Sequence, residues 1–283
     1  MKVDVWIVCA RWKRKADRVA AYDAAVKSGL SFKMLYRQYF CLVGKTLFYK
    51  GLPVKNLPKV VFFYSRIPVL RKYLRDKNSV ISINSEASVN LVVDKLKTHN
   101  ALAAHSILQP EYIVASNKAT YDEIKEKLGS EFIVKKIDSR TGKHVFLVKN
   151  DQEFKEAVNK TGPEAIYQQY IKESFGRDIR VMVVNDKAVY ALERSSASGD
   201  FRSNLSQGGT VKVLEVTKEL EQLAVKIAKI LGGTFISVDF LYGPNDSLIF
   251  CESNIHASGA NTRKLTGVNI VEPLFDYIKT LVS

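Results

Sequence analysis

Near the C-terminus the run SLIF leads directly into CESNIHASG, residues 251–259. Glu252 and Asn254 stand two positions apart where that apolar run ends, and residues i and i+2 of an extended chain point to the same face. A second apolar run, FISVDFLYG, carries Asp239 near its middle, and the intervening GPND is a natural reversal. Asp239, Glu252 and Asn254 are therefore expected to project together from neighbouring strands. Two carboxylates and a carboxamide suit Mg²⁺, which takes few protein ligands and fills its shell with water and phosphate oxygens. The competing reading is a set of ordinary strand-end polar groups. Acids within apolar strands are costly unless paired or metal-bound, and that favours the metal.

A cation that holds phosphate needs other positive groups around it. Lys135 ends the apolar run EFIVK, just before the polar loop KIDSRTGK. An ammonium and loop amides would then lie beside an anion. A lysine at a strand end that is merely solvated fits the same residues. The third element is GDFRSNLSQGG, residues 199–209, with Arg202 and Asn204 in a stretch too polar for a core. Arg202 could clamp a phosphoryl group or a carboxylate through its bidentate fork, or the stretch could be surface loop.

These residues need elements to position them. Residues 3–9 read as a buried strand and 15–28 as a helix closed by Gly29. SFKML, VVFFYS and VISI are β-rich, with a helical pattern in VLRKYLRDKN, so a small parallel α/β lobe ends near residue 84. NSEASVNLVVDKLKTHNALAAHS reads as one helix with Ser85 as N-cap. A second lobe follows: EYIV, the helix TYDEIKEKL, the strands EFIVKK and HVFLV, the helix DQEFKEAVNK and the strand AIYQQYI. The third holds DIRVMVVN, KAVYALER, a polar loop, the helix TKELEQLAVKIAKIL, the two strands already described and a final helix from Ile270. The expectation is an α/β protein of three lobes, residues 1–84, 85–170 and 171–283.

The composition is that of an average globular protein, with 46% hydrophobic and 25% charged residues. No apolar run reaches 18 residues, and MKVDVWIVCA is too quickly charged for a signal peptide. Cys9, Cys41 and Cys251 are expected as small buried hydrophobes in a reducing cytoplasm. The four histidines have no zinc spacing. The net charge of +14 is confined: residues 1–78 hold 18 Lys+Arg and four acids, and the other 205 residues hold 25 of each sign. A basic lobe beside a neutral body suits an acidic partner, whether carboxylate-rich peptide, nucleotide or nucleic acid. A solvated basic surface is the bland alternative.

QQYIKESFGRDIRVMVV, then LERSSASGDFRSNLSQGG, then VDFLY and CESN closely resemble the RimK-type ATP-grasp ligases, from about Asn84 to the C-terminus. The resemblance implies three lobes, with ATP gripped between two sheets. It also implies Mg²⁺–ATP, with Mn²⁺ as a workable substitute, phosphorylating a carboxylate that an amine then attacks. By position, it implies that Lys95 and Lys135 contact phosphates and that Gln169, Tyr170 and Ile171 form a hinge beside adenine. Asp178 would hold the ribose side, Arg202 and Asn204 would lie over the triphosphate, and Asp239, Glu252 and Asn254 would hold the metals. Arg180 and Arg194 are expected to grip substrate carboxylates. The phosphate-covering loop departs from the family in containing only Gly142, with Arg140 and Lys143 as candidate substitutes for backbone contacts. IHASGANTRK after Asn254 departs as well, so the acceptor does not carry over. His256 could touch a substrate carboxylate, or be a loop histidine with no role. Many such ligases add glutamate, and a basic lobe containing Lys13, Arg14, Lys15 and Arg18 would suit an already acidic acceptor. Glu252→Gln and Asp239→Asn are expected to behave alike. A nucleotide-gated module docking on RNA or the ribosome is the rival reading, and an ATPase without ligation a third. No membrane association is expected, and homo-oligomerisation stays open.

Overall fold

The first strand, Val5–Cys9 (β1), is buried on both faces, as its unbroken apolar run VWIVC requires. The computed structural model describes residues 3–10, 15–65, 67–137, 144–197, 199–203, 209–255 and 259–283. β1 lies between β2 (Phe32–Tyr36) and β6 (Val60–Phe63), and β7 (Ile81–Ile83) follows β6, all parallel. One face, with Ile7 and Phe62, packs on Ala21, Ala24 and Ala25 of α1 (Lys15–Ser28). The other, with Trp6 and Phe63, packs on Leu70 and Leu74 of α2 (Pro68–Leu74). Residues 40–53, unassigned from the sequence, form an antiparallel sheet of β3 (Phe40–Val43), β4 (Thr46–Tyr49) and β5 (Leu52–Pro53). Lys50 at φ 52° and Gly51 at φ 78° form its tight turn, where glycine's freedom is used. Cys41 is exposed on β3, against the expectation that all three cysteines are buried, because β3 is an edge strand with one face to solvent.

The single helix expected after Ser85 is two, α3 (Glu86–Val93) and α4 (Lys95–Ala103). Asp94 breaks it by leaving helical geometry and accepting from Lys97 N as the N-cap of α4. Ser85 caps α3 as expected.

The next sheet has the order β10 (Val145–Val148), β9 (Phe132–Lys136), β11 (Glu164–Gln169), β8 (Tyr112–Ser116), and is antiparallel. Phe132, Val134, Ala165 and Tyr167 pack on Ile124 of α5 (Tyr121–Leu128) and Phe154 and Val158 of α6 (Asp151–Thr161). By alternation Ile133, Lys135, Ile166 and Gln168 take the opposite face.

The largest sheet runs β14 (Thr210–Leu214), β13 (Lys187–Ser195), β12 (Arg177–Val184), β15 (Phe235–Tyr242), β16 (Leu248–Asn254), again antiparallel. β14 lies within a stretch read as loop; its alternating TVKVL is an edge strand with one face to solvent. Ile179, Val181, Val183, Ile236, Val238 and Phe240 pack on α7 (Lys218–Ile230), and Val89 and Leu102 of α3 and α4 join that core. The opposite face packs Met182, Val184 and Phe235 against the N-terminal sheet and Leu274, Phe275 and Ile278 of α9 (Glu272–Val282). Between them, α8 (Gly259–Thr266) was also unassigned from the sequence.

Candidate active site

On the face of β12 that meets the N-terminal sheet, side chains alternate Asp178, Arg180, Met182, Val184. The apolar half is buried between lobes, and the charged half continues beyond that contact. Register then assembles the charges. Arg180 lies opposite Asp239, Asp178 opposite Arg194, and Asp239 opposite Glu252. A bulge makes the last pairing: Phe240 faces Phe250 and Asp239 faces Glu252, so Cys251 is the extra residue. Without it Cys251 would stand where Glu252 does. Burial pushes the Cys251 thiol up to about 12, so it stays a neutral wall group.

Asp239 is fully buried and accepts three bonds. Arg180 donates Nε and Nη2 at 2.7 and 2.5 Å, and Arg194 donates Nη2 at 2.9 Å. Arg194 also forks onto Asp178 at 2.6 and 2.5 Å. Burial alone would raise the Asp239 carboxyl, but Arg180 and Arg194 outweigh it and hold it below the usual carboxylate range. Glu252 accepts from Asn254 Nδ2 at 3.1 Å, which points the Asn254 carboxamide nitrogen at Glu252 and leaves its oxygen as an acceptor on the same face.

Across from this face stands the cleft side of β9 and β11. Lys135 and Gln168 reach in from those strands, and Gln169, Tyr170 and Ile171 carry the chain to β12. The cleft, about 790 Å³ including its open mouth, is walled by Ile133, Val145, Ile171 and Leu241 and edged by Asp178, Arg194, Arg202 and Glu252. Its apolar walls with a few convergent charges have the build of a ligand site.

A sequence model of the RimK-like ATP-grasp domain matches residues 92–278. The chain belongs to the RimK-like ATP-grasp family. It is 33% identical over 214 residues to a probable alpha-L-glutamate ligase 2 of Hahella chejuensis, covering 74% of this chain and 69% of the relative. It is 32% identical over 214 residues to an uncharacterised protein of Mycoplasma genitalium, covering 70% and 74%. The fold matches the ATP-grasp ligase PsnB, solved with a phosphomimetic variant of its minimal precursor, Mg and ADP, at a TM-score of 0.78 and 15% identity over the whole of both chains. As a member of this family the chain is an ATP-dependent carboxylate–amine ligase that works with ATP and Mg²⁺.

The ATP-grasp residues present suit that metal. Among the described residues no three His, Cys, Asp or Glu side chains converge to hold one alone. Glu252 on the cleft wall, Asp239 opposite it in register and Asn254 two residues on are oxygen donors of the kind Mg²⁺ takes when water and phosphate complete its shell, with the Asp239 oxygens held by Arg180 and Arg194 in this structure. The cleft lining gathers Lys135, Gln169, Tyr170, Ile171, Asp178, Arg194, Arg202 and Glu252. Lys95, Arg180, Asp239 and Asn254 stand outside that lining, Lys95 at the N-terminal end of α4. Arg140, Lys143, Asn204, His256, Lys13 and Arg14 lie outside the described residues.

Several residues in the ATP-grasp site escaped sequence reading. Asp200 takes the Arg202 guanidinium at 2.9 and 2.8 Å, a pairing two residues apart that GDFR could have suggested. Arg177 lies 4.1 Å from the Tyr242 ring centre at the cleft edge. Gln168 and His99 are bonded behind Lys135, and no local pattern points to them. Among the described residues no helix is long and apolar enough to cross a membrane.

Proposed function

We propose that this chain adds an amino acid such as glutamate to a peptide, protein or small-molecule acceptor through an acyl phosphate. The carrying observation is one cleft in which Lys135, Arg194, Arg202 and Glu252 converge between two sheets, with Asp239 ion-paired to Arg194 and opposite Glu252 in register. A carboxylate oxygen attacks the γ-phosphorus, the bond to ADP breaks, an amine attacks the acyl carbon, and phosphate leaves as the nitrogen loses its proton. Asp239, Glu252 and Asn254 would hold Mg²⁺, which when bound would supply charge neutralisation on the phosphates. Lys135, Lys95 and Arg202 offset the remaining negative charge. Residues 169–171 border the adenine and Asp178 the ribose side. Arg180 has 21% of its side chain exposed against 5% for Arg194. Arg180, outside the cleft lining but the more exposed of the two, is the one we assign to a substrate carboxylate reaching beyond that lining, while Arg194, inside it, holds Asp178 and Asp239 in place.

The acceptor we propose is acidic. Residues 24–75 contain 11 Lys and Arg and no Asp or Glu, and Lys45, Lys50, Lys55 and Lys59 are exposed there. That surface attracts carboxylate-rich chains, and relatives named probable alpha-L-glutamate ligases support glutamate as the amino acid joined. Three free cysteines support a reducing, cytoplasmic setting. The test incubates the protein with Mg²⁺–ATP and amino acids singly, with and without acidic peptides, reading phosphate release and product mass together. A product heavier by one dehydrated glutamate is expected. ATP turnover with no amide product under any pairing would overturn the ligase reading.

A further inference from the structure

Behind Lys135 runs a buried chain of hydrogen bonds that the phosphoryl chemistry does not itself require. The Lys135 ammonium donates to Gln168 Oε1 at 2.5 Å. Gln168 Nε2 lies 3.5 Å from His99 Nε2, the outer limit of such a bond. His99 Nδ1 meets Gln109 Oε1 at 2.6 Å, and Gln109 Nε2 donates to the His99 carbonyl at 3.0 Å. Lys135, Gln168 and His99 are 8%, 1% and 2% exposed.

Donor counting sets every orientation. An ammonium only donates, so Gln168 must turn its oxygen to Lys135 and its NH₂ to His99. The Gln109 NH₂ is committed to the His99 carbonyl, so its oxygen accepts and His99 Nδ1 carries the proton. His99 Nε2 is then the lone pair that faces Gln168. One neutral tautomer satisfies the whole chain. The other tautomer and the imidazolium both set donor against donor.

We propose that Gln168 and His99 are positioning residues, a neutral relay that aims the Lys135 ammonium into the cleft without cancelling its charge. This rests on the reading of Lys135 as a phosphate contact. A carboxylate at position 168 would pair with the ammonium and compete with the nucleotide for it. An amide orients the same group and leaves its full charge for the phosphates. The ring is itself fixed by Tyr112 and Phe250, at centroid distances of 4.9 and 5.8 Å. His99 lies four residues after Lys95 on α4, so the two share a helix face. The same relay therefore ties the helix bearing Lys95 to β11. Lys95, Lys135 and Tyr112 are the titratable groups facing the ring. Burial, then Lys135 and Lys95, lower His99 to about 4, against the hydrogen bond its Nδ1 donates to Gln109, which raises it.

The test uses the ¹⁵N-labelled full chain, with the His99 ring signals assigned through His99→Gln. Wild type is expected to show a neutral ring protonated on Nδ1 at neutral pH. Gln168→Glu turns a carboxylate oxygen to the Nε2 lone pair, so the ring should take up a proton and titrate nearer neutrality. Its affinity for Mg²⁺–ADP should fall on the order of tenfold, because a charged rival now holds the lysine. Gln168→Met, which keeps the volume and removes the acceptor, should raise the ATP KM and lower kcat together. An Nε2-protonated ring in wild type, readable even if no Gln168 variant folds, would overturn the relay. So would Gln168→Glu binding ADP as wild type does. Lys135→Met in the same titration separates the premises: unchanged ADP binding there refutes the phosphate contact, and the tautomer still reports on the relay.

Discussion

Replacing Glu252 by Gln removes one negative charge from the cleft and keeps the side chain's volume. It accepts a hydrogen bond from Asn254 Nδ2 at 3.1 Å, a donor that a glutamine carbonyl oxygen accepts equally well. Folding should therefore change by less than about 0.5 kcal/mol. Asp239→Asn is different, although the sequence alone gives no reason to separate the two. Asp239 is fully buried and takes bonds from two guanidinium groups, one of them almost entirely enclosed. Removing its charge leaves two cations short of a partner, a loss of roughly 3–5 kcal/mol. At about 2–4 °C per kcal/mol, the melting temperature should drop by roughly 6 °C or more. Turnover should fall on the order of 100-fold in both under the proposed metal assignment, in which each variant loses a metal ligand. Thermal melts without nucleotide and ADP release across a Mg²⁺ series measure the two effects separately. Under the same proposal both side chains serve the same ions, so the double variant should lose far less than the product of the single losses. A Glu252→Gln enzyme near wild-type turnover at limiting Mg²⁺ refutes the metal assignment. An Asp239→Asn chain that melts with wild type refutes the ion-pair argument.

Lys135→Met should raise the ATP KM and lower kcat together, because a phosphate contact tightens in the transition state; steady-state kinetics unchanged in ATP would make Lys135 a structural strand residue. The acceptor KM should climb steeply between 0.1 and 1 M salt, as the Debye length falls from about 10 to about 3 Å, with the ATP KM climbing less. Reversing exposed Lys45 and Lys55 to Glu should imitate that salt effect for the acceptor alone, whereas salt-sensitive retention of nucleic acid without any effect on turnover would favour an RNA-docking surface. His99 also sets an acid limit on the fold. Its pKa is lowered to about 4 from 6.5, so the unfolded chain takes up its proton first as pH falls. Stability is then lost progressively between those values, by roughly 3 kcal/mol in all. Urea unfolding of wild type and His99→Gln at pH 7 and pH 5 checks this, and equal pH slopes in the two would contradict it.

Much of the architecture is written locally. The alternation in DIRVMVV assigns Asp178 and Arg180 to one face and Ile179, Val181 and Val183 to the other, as packing on α7 confirms. GPND reverses between β15 and β16, Ser85 caps α3, and Gly29 ends α1. Such features depend on neighbours in sequence, where periodicity and backbone preference act directly. The motifs that mark the ATP-grasp family are legible for the same reason. Pairing across the fold is not. Asp239 is 59 residues from Arg180 and 45 from Arg194, and only strand register brings them into contact. The extra residue at Cys251 decides that Glu252, rather than the thiol, stands opposite Asp239. Gln168 and His99 look like unremarkable polar residues until burial removes water and forces each donor to find an acceptor. Periodicity assigns a side chain to a face of its element. Register, bulges and desolvation, which exist only in the assembled structure, choose its partner.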